Sequence, residues 1–79
     1  MIDNATIDKF LKEIALLFEL DADQINKEIR FKEDLNATSL QYMGVISVIA
    51  ELTGHEINYA KLRKYKTMGD VMEFLETLS

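Results

Sequence analysis

The sequence predicts an all-α fold: four helices in one small bundle, with a long first loop and a short third helix. Three observations predict it. The chain holds no Pro and only 3 Gly among its 79 residues, a composition that favours helices over a turn-rich β architecture. Apolar residues recur at spacings of three and four, the period of helices that bury one face. Ser, Thr, Asn and Asp stand just ahead of these runs, where their oxygens accept from backbone N–H groups that lack a partner in the first helical turn. One domain, 1–79, is expected, small enough that its single core leaves little net stability.

The first helix is carried by Ile7, Phe10, Leu11, Ile14, Leu17 and Phe18, which form one buried stripe. Asp3, Asn4 and Thr6 are candidate caps, and Asp8 and Lys12 are placed to pair across one turn of its exposed side. Between Asp21 and Thr38 the pattern loosens, but Ile25, Ile29, Phe31 and Leu35 recur too regularly for a linker. The loop is therefore expected to pack its apolar side onto the helices. Asp21, Asp23 and Asn26 do not make a calcium loop, because Ile25 stands at a ligand position and Lys32 where a bidentate Glu is needed.

After Ser39 the chain is apolar on more than one face, through Leu40, Met43, Val45, Ile46, Val48, Ile49, Ala50 and Leu52, and Gly54 suits a left-handed stop. This second helix is expected to be the axis of the bundle, and an apolar residue left exposed on it, such as Leu40 or Met43, marks a contact surface. Asn58 is placed to cap a short third helix through Tyr59, Leu62 and Tyr65. The cations Lys61, Arg63, Lys64 and Lys66 at its end form either a solvated face matched to the helix dipole or a docking patch. Thr67 with Asp70 reads as a capping box for the last helix, whose stripe is Met68, Val71, Met72, Leu75 and Leu78.

The net charge of −5 argues against a nucleic-acid partner, since such proteins use a basic face to replace phosphate counterions. Most of the negative excess precedes Ser39: residues 1–38 hold 9 acidic and 5 basic side chains, residues 39–79 hold 5 and 4. No run reaches the roughly 18 apolar residues of a membrane span, and Met1–Ala5 lacks the pattern of a signal peptide. A cytoplasmic monomer is the expectation.

Catalysis would need a base within reach of a nucleophile and a third group to orient it. His55 is the only histidine, and the second helix separates it from Ser39 by roughly 20 Å. It is expected to pack or cap at its turn. Cysteine is absent, so a thiolate metal site is impossible, and no Walker motif or zinc ligand set is present. No catalytic residues and no metal ligands are assigned, and the chain is not expected to be an enzyme. Ser39 stands apart. It lies in or beside the first turn of the second helix, where a phosphate is stabilised by the unpaired N–H groups and the dipole. The plainer reading is that Thr38 or Ser39 is only the N-cap.

The stretch Glu33-Asp34-Leu35-Asn36-Ala37-Thr38-Ser39-Leu40 resembles the modification site of acyl carrier proteins, whose usual form is acidic-Asp-Leu-Gly-Ala-Asp-Ser-Leu. The order of elements, including Gly54-His55-Glu56-Ile57 and a Thr-initiated last helix, is similar along nearly the whole chain. The resemblance implies a four-helix carrier whose Ser39 hydroxyl receives 4′-phosphopantetheine from coenzyme A through a separate phosphopantetheinyl transferase that uses magnesium. Thr38 and Leu40 would flank that attachment point. It further implies that the prosthetic thiol holds acyl groups as thioesters for fatty-acid, polyketide or related biosynthesis. An acyl-loading ligase or transferase and a ketosynthase or other acyl-processing enzyme would then be partners. These would read the surface of Leu40, Gln41, Tyr42, Met43, Ser47 and Glu51.

Two departures bear on this reading. Thr38 stands where the family has Asp; it replaces the capping oxygen but not the charge. Gln41, Gly44, Ala50 and Leu52 stand where fatty-acid-synthesis carriers place acidic docking residues, leaving Glu51. Together with the cations Lys61 to Lys66, this implies a specialised carrier rather than the housekeeping one. Asn36 in place of Gly is milder, because Asn tolerates the left-handed conformation. The alternatives are an aminoacyl or peptidyl carrier, or an unmodified module of the same fold that binds a partner through its second helix.

Overall fold

The structure is a computed structural model that describes residues 3–78. Four α-helices follow in order: α1 (Asn4–Leu17), α2 (Ser39–Thr53), α3 (Tyr59–Leu62) and α4 (Met68–Glu76). No strand occurs among the described residues. The expected all-helical class and its order of elements are found.

Asp3 caps α1, its carboxylate accepting from Thr6 N at 2.8 Å. Of the three candidate caps, the one just outside the periodic run has the extended backbone that lets its side chain fold back onto the helix. The other end closes without glycine. Glu19 adopts a left-handed φ of 59°, while Leu20 N donates to Ala15 O and Glu19 N to Leu16 O, the paired bonds of a Schellman stop. Phe10, Ile14 and Ala15 face inward. The expected Asp8–Lys12 pair is not formed: among the described residues the ion pairs are those of Arg30 with Glu33 and Asp34. Both Asp8 and Lys12 are exposed, and two long side chains in water gain little by holding one geometry.

The long first loop is packed, as its apolar residues predict. A single 3₁₀ turn at Ala22–Gln24 is followed by Ile25 and Phe31, both buried, with Ile29 and Leu35 packed against the core from its edge. The loop is also stitched to the start of α4. Phe31 N donates to Lys66 O at 3.1 Å, Met68 N to Ile29 O at 2.9 Å and Gly69 N to Lys27 O at 2.9 Å. These bonds satisfy backbone groups that would otherwise be stranded against the core.

α2 begins at Ser39 and ends at Gly54, whose φ of 74° is the left-handed stop that glycine makes without strain. Tyr42, Val45 and Ile49 are its buried residues. Gly44 faces α1: a Cβ there would lie 2.8 Å from Leu17 Cδ1, so the Leu17 side chain occupies the space its missing side chain leaves. α3 is capped by Asn58 as predicted, Oδ1 accepting from Lys61 N at 2.7 Å, but is only 4 residues long and stops short of Tyr65. α4 opens on the predicted box, with Asp70 N donating to Thr67 Oγ1 at 3.2 Å and Thr67 N to Asp70 Oδ2 at 3.3 Å. Leu62, Met68 and Val71 are fully enclosed with Ile14, Val45 and Ile49. His55 is exposed; it neither packs nor caps through its ring, and only its backbone N–H is engaged, by Thr53 Oγ1 at 3.2 Å.

Gly69 gives a test of the loop–α4 seam. Replacing glycine by alanine inside a helix ordinarily stabilises by up to about 1 kcal/mol. Here the new Cβ would lie 2.9 Å from Lys27 O, a backbone atom. Gly69→Ala is therefore expected to destabilise by about 1–3 kcal/mol, read as a lower urea midpoint. An unchanged or raised midpoint would contradict the seam.

Candidate functional site

The site is built from the end of the long loop, the first turn of α2 and the short α3. The loop reaches α2 through a tight turn. Arg30 N donates to Asp34 Oδ2 at 2.7 Å, and the Arg30 guanidinium grips the same carboxylate through Nε at 3.2 Å and Nη2 at 3.1 Å. These contacts, the guanidinium hydrogen bond first and the backbone N–H second, hold the Asp34 carboxyl below its ordinary value of 3.8. Asn36 then takes a left-handed φ of 50°, and Ala37 N closes the turn on Phe31 O at 2.8 Å. Asn tolerates this left-handed conformation better than most residues.

Thr38 is the N-cap of α2. Its Oγ1 accepts from Gln41 N at 3.2 Å, and its own N–H donates to Gln41 Oε1 at 2.9 Å. The cap is complete within those two residues, so Ser39, the next residue, is not needed for it. Ser39 is exposed in the first turn, where the N–H groups of a helix lack intrahelical partners. Its hydroxyl is not idle: Tyr59 Oη donates to Ser39 Oγ at 3.1 Å, and Arg63 Nη1 donates to Tyr59 Oη at 2.8 Å.

Arg63 is fixed by aromatic faces. Its guanidinium lies 4.9 Å from the centroid of Tyr42 and 5.6 Å from that of Tyr59, within the range of cation–π attraction. Tyr42 and Tyr59 meet edge to face at 6.1 Å, and Tyr42 meets Phe31 at 5.7 Å.

The residues predicted to meet partners divide into two groups. Leu40 is 78% exposed and Met43 56%, and Ser47 and Glu51 are exposed as well. Their spacing of three and four places them on one open face of α2. Two residues depart from the expectation. Tyr42 is 3% exposed, because it points from α2 to the core between Phe31 and Tyr59, and it cannot be read at the surface. Gln41 is half-buried, with its side chain spent on the cap. Sequence reasoning did not find Tyr59 as a neighbour of Ser39, since nothing local signals a contact 20 residues away. Of the basic cluster, Arg63 is folded onto the site and Lys61 lies 4.6 Å over the Phe74 ring, so it is not simply a solvated face.

No family model matches the chain. Over 58 residues it is 36% identical to an acyl carrier protein of Chlamydia felis (strain Fe/C-56), covering 73% of this chain and 74% of that protein. The chain belongs to the acyl carrier protein family. The carrier is also 37% identical over 57 residues to an acyl carrier protein of Helicobacter hepaticus (strain ATCC 51449 / 3B1), covering 72% of this chain and 75% of that one. A relative from Lactobacillus johnsonii, likewise an acyl carrier protein, is 26% identical over 77 residues, 98% of this chain and 96% of its own length. The function is that of an acyl carrier protein, and the helical bundle is the fold on which it rests.

The Arg30–Asp34 contact gives the carrier a defined acid response. A carboxyl lowered in the folded state contributes stability that is present above its unfolded value and is lost as pH falls through the folded one. Stability is therefore expected to decline as pH drops below about 3.8. Asp34→Asn should flatten that part of the profile in thermal unfolding measured against pH. Equal acid limbs in both proteins would contradict the role given to Asp34.

Proposed function

We propose that Ser39 is the attachment point of 4′-phosphopantetheine, donated from coenzyme A by a separate phosphopantetheinyl transferase with magnesium. The observation that carries this reading is an exposed hydroxyl in the first turn of α2, left free of capping duty by Thr38 and Gln41. The residues around it suit a phosphodiester. The first helical turn presents N–H donors and the positive end of the dipole, and the hydrogen-bonding neighbours of Ser39 are a phenol and, behind it, a guanidinium. When attached, the group supplies a thiol that holds an acyl chain as a thioester. The chain has no cysteine of its own, so no protein thiol competes with it.

The chain's own residues position and present. Asn36, Thr38 and Gln41 fix the turn and the helix start, and thereby the direction of the Ser39 Oγ. Leu40, Met43, Ser47 and Glu51 give an open face of α2 to the transferase, to an acyl-loading ligase or transferase, and to a ketosynthase or other acyl-processing enzyme. That face is apolar at one end and carries one carboxylate, which favours a specialised carrier whose partners dock by apolar contact more than by charge pairing. We place it in the cytoplasm as a single-domain monomer that loads and unloads through other enzymes and has no catalytic residue of its own.

Incubation with coenzyme A and a transferase of broad specificity is expected to raise the intact mass by one phosphopantetheine, and Ser39→Ala to abolish the gain. An adduct on Ser39→Ala would contradict the assignment. Absence of any adduct with several transferases would instead favour an unmodified interaction module.

A further inference from the structure

Arg63 presents a cation in an unusual state. Among the described residues the ion pairs are those of Arg30, so Arg63, although exposed, has no carboxylate partner there. Its guanidinium lies over Tyr42 and Tyr59, and of its five N–H donors Nη1 is directed to Tyr59 Oη. Tyr59 in turn donates to Ser39 Oγ. A positively charged donor is thus aimed, through one phenol, at the single exposed hydroxyl that the carrier reading requires. Lys32 and Lys66 line a cleft with Arg63 and Tyr42, against one carboxylate, Glu33, so cations outnumber carboxylates beside Arg63 in a protein whose net charge is −5.

We infer that Tyr59 and Arg63 form a clamp for the phosphodiester on Ser39, anchoring the root of the prosthetic arm against α3. This rests on the reading of Ser39 as the attachment point. The chemistry is direct. Phosphorus would be one bond from Oγ, so a donor that already reaches Oγ is within reach of the oxygens on it. Esterification removes the serine proton and leaves a poorer acceptor at Oγ, while adding two oxygens that share one negative charge. The Tyr59 O–H and the uncommitted Arg63 N–H groups supply what those oxygens need, and hydrogen bonds between ionised partners are about twice as strong as neutral ones. The contact is solvent-exposed, where a free ion pair would be weak. Covalent attachment changes that, because the phosphate is held at high effective concentration beside its donors.

The clamp also explains the aromatic setting. Without a phosphate, stacking on Tyr42 and Tyr59 holds the guanidinium in place and so lowers the ordering entropy still to be lost when the anion arrives. In this reading Arg63 is a positioning residue for the arm, and α3 decides the direction from which the thiol is offered to partners.

The test compares apo and holo protein within each variant, so that any purely structural effect of the substitution cancels. For the wild type, attachment is expected to raise the thermal midpoint by about 4 °C, the scale of one modest new interaction in a domain of this size. Arg63→Met retains a long stem over the rings but not the charge, and Tyr59→Phe retains the ring but not the donor. Each should lose most of the holo-minus-apo difference. As a second readout, the phosphorus resonance of wild-type holo protein should move between low salt and about 1 M salt, where screening is nearly complete, and that of Arg63→Met should not. If the adduct forms but the difference is the same in all three proteins, or the resonance responds to salt equally with and without Arg63, the clamp is overturned while the attachment site stands. If no adduct forms, the attachment site and the clamp fall together.

Discussion

The structure depends on one column of aromatic rings. Phe18, at the end of α1, meets Phe31 of the loop at 6.5 Å; Phe31 meets Tyr42 of α2, and Tyr42 meets Tyr59 of α3. Arg63 closes the column by lying over its last two rings. Tilted and edge-on ring pairs at these distances contribute beyond the area they bury. A chain of 79 residues has little core to spare, and here the same contacts that fill it also fix the loop, the start of α2 and the short α3 relative to one another. α3, at four residues, is too short to be stable alone; this column, the Asn58 cap and the buried Leu62 hold it beside Ser39.

The position of Ser39 follows from that packing. The loop is drawn down by Phe31 and gripped by Arg30 and Asp34, and Asn36 turns it sharply. Thr38 and Gln41 then start the helix between them, so the serine enters the first turn with its hydroxyl outward. Threonine fills this mechanical role, because the cap needs an oxygen acceptor and not a charge. Arg63 is the charged group in the hydrogen-bond chain that reaches Ser39.

What the sequence made legible were features whose cause is local. The caps at Thr38, Asn58 and Thr67 and the stop at Gly54 depend on residues within one turn, and each is found where its side chain implies. The apolar loop residues also read correctly, because a buried Ile or Phe is recognisable whatever backbone carries it. Tyr42 was misplaced on the surface for a physical reason: α2 is apolar on several sides, so its periodicity does not say which side faces the core. Gln41 looked like a vacant docking position because its capping role depends on its side chain folding back one turn. The Ser39–Tyr59–Arg63 chain was invisible for another reason. It joins elements distant in sequence, and a cation near the end of a short helix reads locally as dipole matching. Gly44 and Gly69 were silent too, since each answers to an approaching neighbour, Leu17 or Lys27, that only the packed structure supplies.

With Ser39 proposed as the attachment point, this carrier works through the group bound there. Peptide-level mass spectrometry of the protein isolated from its own cells tests that most directly, by fragmenting the peptide that contains Thr38, Ser39 and Leu40. A phosphopantetheine assigned to Ser39 is expected, with or without an acyl group on its thiol. An abundant protein whose Ser39 is unmodified throughout, or a modification on another residue, would contradict it.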